Sequence, residues 1–210
     1  MRAIIIRHYK TLINAANEIM GWGDAPAADD WEPDIAFVDG VLRLAEINFD
    51  AVHTSSLERS RKTGMYFAAS RGIEVVHSCD ELREVNYGAF YRKSKKWVEE
   101  HVPEYKTDPD YVFLDGESFR QMQDRAVRCF SLLAREYPNQ TVLIVAHAGV
   151  IRALVSHFLK LRYSDNLRRK ISHRYIGDFL FEDQTLRRYD ELGEISGFVR
   201  EGIVDVPHHS

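Results

Sequence analysis

The chain has 210 residues, of which 45% are hydrophobic and 29% are charged. That balance is typical of a globular protein, and the length suits one domain with at most one sizeable insertion. The formal net charge of −4 argues against an overall basic field that would attract nucleic acid or an anionic membrane. We therefore expect no nucleic-acid and no membrane partner, and we expect the local basic runs at 92–96 and 168–170 to be solvated helix faces.

The two cysteines and the N-terminal run help to predict the cellular compartment of the protein. Cys79 and Cys129 form neither a CxxC pair nor a zinc-ligand spacing. The apolar run at residues 3–6 is too short for a signal peptide or a membrane span. We expect a cytoplasmic protein whose terminal histidines, at 208 and 209, are solvated rather than catalytic. No pattern determines the oligomeric state, so a homodimer remains an open alternative.

Predicted strands and helices alternate along most of the chain. Six short apolar or alternating runs predict strands, at residues 3–6, 51–54, 74–77, 142–146, 176–181 and 185–189. Three runs with helical periodicity predict helices, at residues 35–47, 57–69 and 118–136. This order predicts an α/β fold, a three-layer α/β/α sandwich with a mostly parallel central sheet. Residues 87–115, rich in aromatic and charged side chains, predict an insertion or lid over the active site.

Polar side chains follow three of the predicted strands. Arg7 and His8 follow the first, Ser55 and Ser56 the second, and His147 the strand at 142–146. Because ligands bind at the carboxyl ends of the strands in such sheets, these groups should meet at one edge. A guanidinium is costly to bury without an anionic partner, and its planar fork suits phosphate oxygens. The pattern favours a phosphate site over a zinc site, which would normally include a carboxylate or thiolate and would disfavour a neighbouring arginine.

Two further residues extend the candidate site. Arg59 lies near the start of the predicted helix at 57–69, where a cation is unfavourable unless an anion binds. Glu84 would donate a proton to a leaving group if it were protonated in the site. Each also has a simpler interpretation, as a surface arginine and a surface carboxylate.

These motifs, taken in chain order, resemble those of the histidine phosphatase superfamily, which includes the cofactor-dependent phosphoglycerate mutases. The resemblance runs from residue 3 to about residue 155. It is carried by Arg7-His8 with Thr11 and Asn14, and by the segments 21–26, 56–63, 84–88, 116–118 and 145–149.

The resemblance implies a single phosphatase domain over residues 1–210, acting on a small phosphomonoester. His8 would be the nucleophile that forms a phosphohistidine, and Glu84 the general acid and then the general base. The remaining catalytic residues would bind the phosphoryl oxygens: Arg7, Arg59 and His147. The wider substrate pocket would include Thr11, Asn14, Tyr9 and Tyr87. No metal and no other cofactor is implied, because arginine and histidine supply the positive charge. His8 should be neutral and His147 cationic, so we expect their pKa values to be separated.

The chain also departs from the family pattern. Tyr9 stands where the family usually has glycine, and it should either narrow the floor of the pocket or turn outward; Lys10 replaces a usually acidic residue. Residues 89–115 are shorter than the matching mutase segment and lack its paired arginines, which favours hydrolysis over mutase activity. A mutase-type phosphotransferase, a phosphoprotein phosphatase and an inactive phosphate-binding module remain open alternatives.

The substrate rim has two interpretations. An aromatic rim would suit a sugar or nucleoside face. It would consist of Trp22, Tyr87, Phe90, Tyr91 and Trp97. Alternatively, Lys10 and the basic run at 92–96 would bind a second anionic group of the substrate.

Overall fold

The computed structural model describes residues 1–192, and the prediction for the terminal histidines lies outside them. Its sheet contains β1 (Arg2–Arg7), β2 (Ala51–Ser55), β3 (Val76–Cys79), β4 (Thr141–Ala146), β5 (Ile176–Glu182) and β6 (Thr185–Glu191). The strand order is β3-β2-β4-β1-β5-β6. The first four are mutually parallel, and β5 and β6 are antiparallel to their neighbours. The predicted mostly parallel sheet is confirmed.

The described part of the chain, residues 1–192, contains seven α-helices: α1 (Leu12–Ala15), α2 (Glu32–Leu44), α3 (Glu58–Ala69), α4 (Lys95–His101), α5 (Phe119–Glu136), α6 (Ala148–Phe158) and α7 (Tyr163–Asn166). Short 3-10 turns lie at Asp80–Leu82, Gly88–Phe90 and Pro103–Lys106. Helix α5 begins at the predicted cap, where the Ser118 hydroxyl accepts a hydrogen bond from the backbone N–H of Gln121. None of the helices within residues 1–192 is long and apolar enough to cross a membrane.

The sheet separates two apolar layers. Ile5 of β1 and Ile144 of β4 pack with α5 and α6 on one face, whereas Ile4 and Leu143 pack with α2 and α3 on the other. Successive residues of a strand point to opposite faces, so unbroken apolar strands are those covered on both sides. This arrangement is the predicted three-layer sandwich.

Some predicted boundaries differ from the observed ones. Helix α2 begins three residues before the predicted start because Pro33 occupies its first turn, and it ends at Leu44, with Glu46 in the left-handed region at φ 52°. Strand β3 begins at Val76 because its pairing with β2 starts there. Helix α6 was not among the predicted helices. Seven of its eleven residues are buried, so its sequence shows little of the alternation between apolar and polar residues that marks a half-exposed helix.

The parallel pairing brings the candidate site together. Arg7 at the end of β1 pairs with Ala146 at the end of β4, and Val145 of β4 pairs with Thr54 of β2. The three strands therefore end at one edge of the sheet.

Candidate active site

His8 lies at the centre of this edge and is 2% exposed. Its Nδ1 lies 2.6 Å from the backbone oxygen of Tyr9, so Nδ1 carries the proton and Nε2 carries the lone pair. Nε2 accepts a hydrogen bond from Nε of Arg59 at 3.2 Å. Burial, followed by the charges of Arg59, His147 and Arg7, lowers the pKa of His8 well below its ordinary value. His8 is therefore a neutral imidazole, the form required of a nucleophile.

Arg59 lies beside His8 and is 1% exposed. Its guanidinium donates to the backbone oxygens of Gly21 and Gly23, both at 2.7 Å, and to Asp24 Oδ1 at 3.0 Å. It lies in the first turn of α3, as predicted. The segment 21–24 thus neutralises part of the buried charge and aims the arginine at His8.

His147 and Arg7 present unpaired polar atoms to the same region. The His147 ring is fully buried, with its centroid 5.0 Å from that of His8. Neither His147 ring nitrogen has a hydrogen-bond partner within residues 1–192, and the same is true of Arg7 Nε. Arg7 donates instead from another guanidinium nitrogen to the backbone oxygen of Ile171 at 2.5 Å. Since unpaired buried donors are unfavourable, these atoms point to an anionic ligand beside His8.

The surroundings of His147 do not favour the cationic form that was expected of it. Burial, then the charges of Arg59 and Arg7, lowers the pKa of His147 well below its ordinary value, as for His8. Both rings lie in the same dry, positively charged environment, so both are neutral in the structure.

Glu84 reaches the cavity from the loop that follows the turn at Asp80–Leu82. Its carboxylate accepts hydrogen bonds from the backbone N–H groups of Gly149, at 3.1 Å, and Val85, at 3.0 Å. Trp22 Nε1 and the Arg125 guanidinium donate to the Glu84 backbone oxygen at 2.7 and 2.9 Å. Glu84 is therefore positioned through both its side chain and its backbone.

The remaining predicted pocket residues divide into two groups. Asn14 and Tyr87 line the same cavity as His8, which has a volume of about 650 Å³. The Thr11 hydroxyl is fully buried and bonds to Asn14 Oδ1 at 3.1 Å, where it caps α1. Tyr9 turns its ring away into the α2 layer, 5.6 Å from the ring of Trp31.

The two basic runs are placed differently from the prediction. Lys95 from the first run and all of 168–170 from the second line the cavity, so they are not simply solvated helix faces. Of the aromatic side chains predicted for the rim, Tyr87 lines this cavity, and Trp97 instead stacks on His101 with 4.2 Å between ring centroids.

Two residues that bond to the backbone of the site were not predicted from the sequence. His173 Nδ1 lies 2.8 Å from the His8 backbone oxygen, and its ring centroid is 5.5 Å from that of His8. Arg125 of α5 donates to the backbone oxygens of Glu81, Arg83 and Glu84 and to the Glu117 carboxylate. Neither residue lies in a recognisable motif, because both act through backbone carbonyls that are distant in sequence.

The chain is similar in sequence to known proteins. A "2,3-bisphosphoglycerate-dependent phosphoglycerate mutase" of Parvibaculum lavamentivorans is 27% identical over 168 residues, covering 75% of this chain and 80% of that protein. A "2-carboxy-D-arabinitol-1-phosphatase" of Triticum aestivum is 29% identical over 165 residues, covering 76% of this chain and 33% of that protein.

A solved structure shares the fold. The mycobacterial glucosyl-3-phosphoglycerate phosphatase, in complex with VO3, matches with a TM-score of 0.79 at 20% identity, covering 91% of this chain and 98% of that one. The sequence profile described as "Histidine phosphatase superfamily (branch 1)" matches residues 3–187, nearly all of the described chain. Arg7, His8, Arg59 and Glu84 line one cavity, the His147 ring lies beside His8, and the profile match shows that the chain belongs to the histidine phosphatase superfamily.

Proposed function

We propose that the protein hydrolyses a small phosphomonoester through a phosphohistidine on His8. The observation that carries the proposal is the buried neutral imidazole of His8, surrounded by Arg59 and by the unpaired polar atoms of Arg7 and His147. That set supplies one nucleophile and three groups suited to phosphoryl oxygens.

In the first step, the Nε2 lone pair of His8 attacks phosphorus and the bond to the leaving oxygen breaks. The Arg59 N–H that now bonds to Nε2 turns to a phosphoryl oxygen, which frees the lone pair. Arg7 and His147 bind the other oxygens, where charge develops in transfer. Glu84, in its protonated form, donates a proton to the leaving alcohol.

In the second step, water attacks the phosphorus of the phosphohistidine and the P–N bond breaks. Glu84, now a carboxylate, accepts a proton from that water. The Nδ1–H of His8 stays bonded to the Tyr9 backbone oxygen, which stabilises the positive charge carried by the phosphorylated ring. Inorganic phosphate leaves and His8 returns to its neutral form.

The segment 87–115 forms one wall of this cavity in the proposal. Tyr87, Lys95, Tyr105 and Lys106 of that segment line it. We propose that the segment is an insertion of the single domain and encloses small substrates in preference to phosphoproteins.

The names of the curated relatives favour a second candidate, a phosphoglycerate mutase-type transfer. Hydrolysis is preferred because residues 89–115 are short and lack paired arginines. The two reactions differ in product: a hydrolase releases inorganic phosphate from 3-phosphoglycerate, whereas a mutase forms 2-phosphoglycerate. If 2-phosphoglycerate forms faster than inorganic phosphate is released, the mutase reaction replaces hydrolysis as the proposed function.

The central experiment compares wild type with His8→Ala on p-nitrophenyl phosphate in the presence of EDTA. We expect wild type to turn over and to carry one phosphoryl group after a rapid quench in alkaline denaturant, in which a phosphohistidine is stable, as seen by intact mass. His8→Ala should lose both, by a factor of roughly a thousand or more in rate.

The matched control is His157→Ala, an exposed histidine at the end of α6. It should behave as wild type. Equal turnover by wild type and His8→Ala would disprove the nucleophile assignment, and loss of wild-type turnover with EDTA would indicate a metal-dependent reaction.

A further inference from the structure

The two cysteines of the chain lie against each other, although 50 positions separate them in sequence. Cys79 is the last residue of β3, and Cys129 lies on α5. Both thiols are free, and their Sγ atoms are 2.7 Å apart. Two sulfur atoms this close are placed to bond with little backbone movement. Neither thiol takes part in the proposed reaction at His8, so the contact has no role there.

Hydrogen bonds distinguish the two thiols. Cys79 Sγ donates to Glu81 Oε2 at 3.1 Å. A thiol has one proton, so in the contact between the sulfurs Cys129 donates and Cys79 accepts. This bond lowers the pKa of Cys79, against the opposing effects of burial and of Glu81. The same bond, followed by burial, raises the pKa of Cys129. Cys79 is therefore the more readily ionised thiol of the pair.

The exposure of the two side chains assigns them the same roles. Cys79 is partly exposed at the end of β3, which is an edge strand of the described sheet. Cys129 is 7% exposed and belongs to the apolar core. An oxidant in solution can therefore reach Cys79 first. Because the sulfurs are in contact, a group attached to Cys79 would then lie within reach of Cys129.

The pair lies at the start of the segment that carries Glu84. From Cys79 the chain passes through the turn at Asp80–Leu82 and reaches Glu84 five positions later. Arg125 lies four positions before Cys129, on the same side of α5, and donates to three backbone oxygens of this segment. Helix α5 thus already holds residues 80–84 by hydrogen bonds, and a disulfide would add a covalent connection between the same two elements.

We propose that Cys79 and Cys129 are a redox-active pair, which a small disulfide such as glutathione disulfide oxidises to an intramolecular disulfide that ties residues 80–84 to α5. Neither step of this oxidation uses His8 or a phosphorylated substrate. Failure of the test below would therefore leave the proposed function intact, and the converse also holds.

The oxidation proceeds by two thiol–disulfide exchanges. In the first, the Cys79 thiolate attacks one sulfur of the oxidant, the oxidant's S–S bond breaks, and one glutathione leaves. In the second, Cys129 loses its proton and attacks the Cys79 sulfur of the mixed disulfide, and the second glutathione leaves. Two electrons pass from the cysteines to the oxidant, and the two protons that the cysteines lose are balanced by those that the two glutathione thiols gain.

Incubation with glutathione disulfide, followed by non-reducing intact mass, tests the formation of the bond. The chain has two cysteines in all, so the change in mass assigns the product. Wild type should lose both titratable thiols and two hydrogens in mass without gaining glutathione. Dithiothreitol should reverse the change.

Two matched variants test the order of attack. Cys129→Ser should retain one glutathione on Cys79, because it has no second thiol to displace the adduct. Cys79→Ser should react about tenfold more slowly than wild type, or less, because the remaining thiol is buried and ionises poorly.

Hydrogen exchange tests the connection to residues 80–84. In oxidised wild type the backbone N–H groups of this segment should exchange severalfold more slowly than in the reduced protein, because the segment opens less often. The N–H groups of α2, which packs on the other face of the sheet, are the internal control and should exchange equally in both states. Cys129→Ser carrying glutathione should show no slowing.

Three results would overturn the proposal. Two unreacted thiols in wild type, a stable glutathione adduct on it, or a disulfide between two chains would exclude the redox-active pair. Reaction of Cys79→Ser as fast as wild type would exclude Cys79 as the attacking thiol. Equal exchange of residues 80–84 in the oxidised and reduced proteins would exclude the connection to α5.

Discussion

Glu84 packs directly against Gly149: its Oε2 accepts the Gly149 N–H at 3.1 Å, and a Cβ at position 149 would lie 2.0 Å from its Oε1. The first turn of α6 therefore has room for the acid only because residue 149 has no side chain. The same turn follows His147, so one segment positions both the proposed acid and the histidine proposed to bind phosphate.

Gly149→Ala should displace the Glu84 carboxylate. A displacement of about 1 Å in a reacting group lowers kcat/KM by about a hundredfold, and the loss should appear in kcat on p-nitrophenyl phosphate. Gly40→Ala is the control, since a Cβ there meets nothing within 4 Å in helix α2. Unchanged kcat in Gly149→Ala would show that the position of the carboxylate does not limit the reaction.

Arg125→Lys should lower activity without touching the substrate. The lysine has one nitrogen where the guanidinium now contacts the backbone oxygens of Glu81, Arg83 and Glu84. We expect kcat to fall about tenfold with little change in KM, because the effect passes through the Glu84 backbone.

The control for Arg125→Lys is Arg128→Lys, one turn along α5 and exposed. Equal kcat in the two variants would show that Arg125 does not position Glu84. A fall in KM equal to that in kcat would also contradict the expected pattern.

Tyr9→Ala should mainly affect stability. The ring packs with Trp31 and with the α2 layer, so its removal should reduce the free energy of unfolding by about 3 kcal/mol, measured by urea denaturation. Tyr66→Ala, at an exposed position on α3, should cost much less. If Tyr9→Ala kept full stability but changed KM severalfold, the ring would belong to the substrate pocket instead.

Acid should destabilise the protein through its buried neutral histidines. Burial, and then the charge of Arg7, lowers the pKa of His173 to about 3. In the unfolded chain the group titrates near 6.5, so below that pH the unfolded state binds a proton that the folded state excludes. Stability contributed by neutral His173 is thus fully present above about pH 6.5 and declines as the pH falls toward about 3.

His173→Asn should make this decline shallower. Asparagine keeps a side-chain N–H donor for the His8 backbone oxygen but does not titrate. The measurement is urea denaturation at neutral pH and at about pH 5. Each such histidine changes the free energy of unfolding by at most about 1.4 kcal/mol per pH unit. His101→Asn, at an exposed position, should retain the wild-type slope. A parallel slope in His173→Asn would contradict the assignment.

Local sequence was sufficient for the layers of the fold. Runs such as 142–146 are apolar at every position, and that pattern alone predicts a strand covered on both faces. The Ser118 cap, with Gln121 three residues later, marks the start of α5 because both partners of the capping interaction lie within one turn. Motif order likewise predicted the family, since each motif is a short local segment.

The sequence by itself thus determined the fold class and the family, and it predicted five site groups, Arg7, His8, Arg59, Glu84 and His147. Only the tertiary structure decided which other residues join them. His173, Arg125 and Arg152 each donate a hydrogen bond to a backbone carbonyl that is distant in sequence. Tyr9 is adjacent to His8 in sequence, yet its ring packs in the apolar layer that contains α2. The physical reason is that sequence patterns record local periodicity and capping, whereas burial, pKa and ion pairing depend on atoms that only the packed sheet and helices bring together.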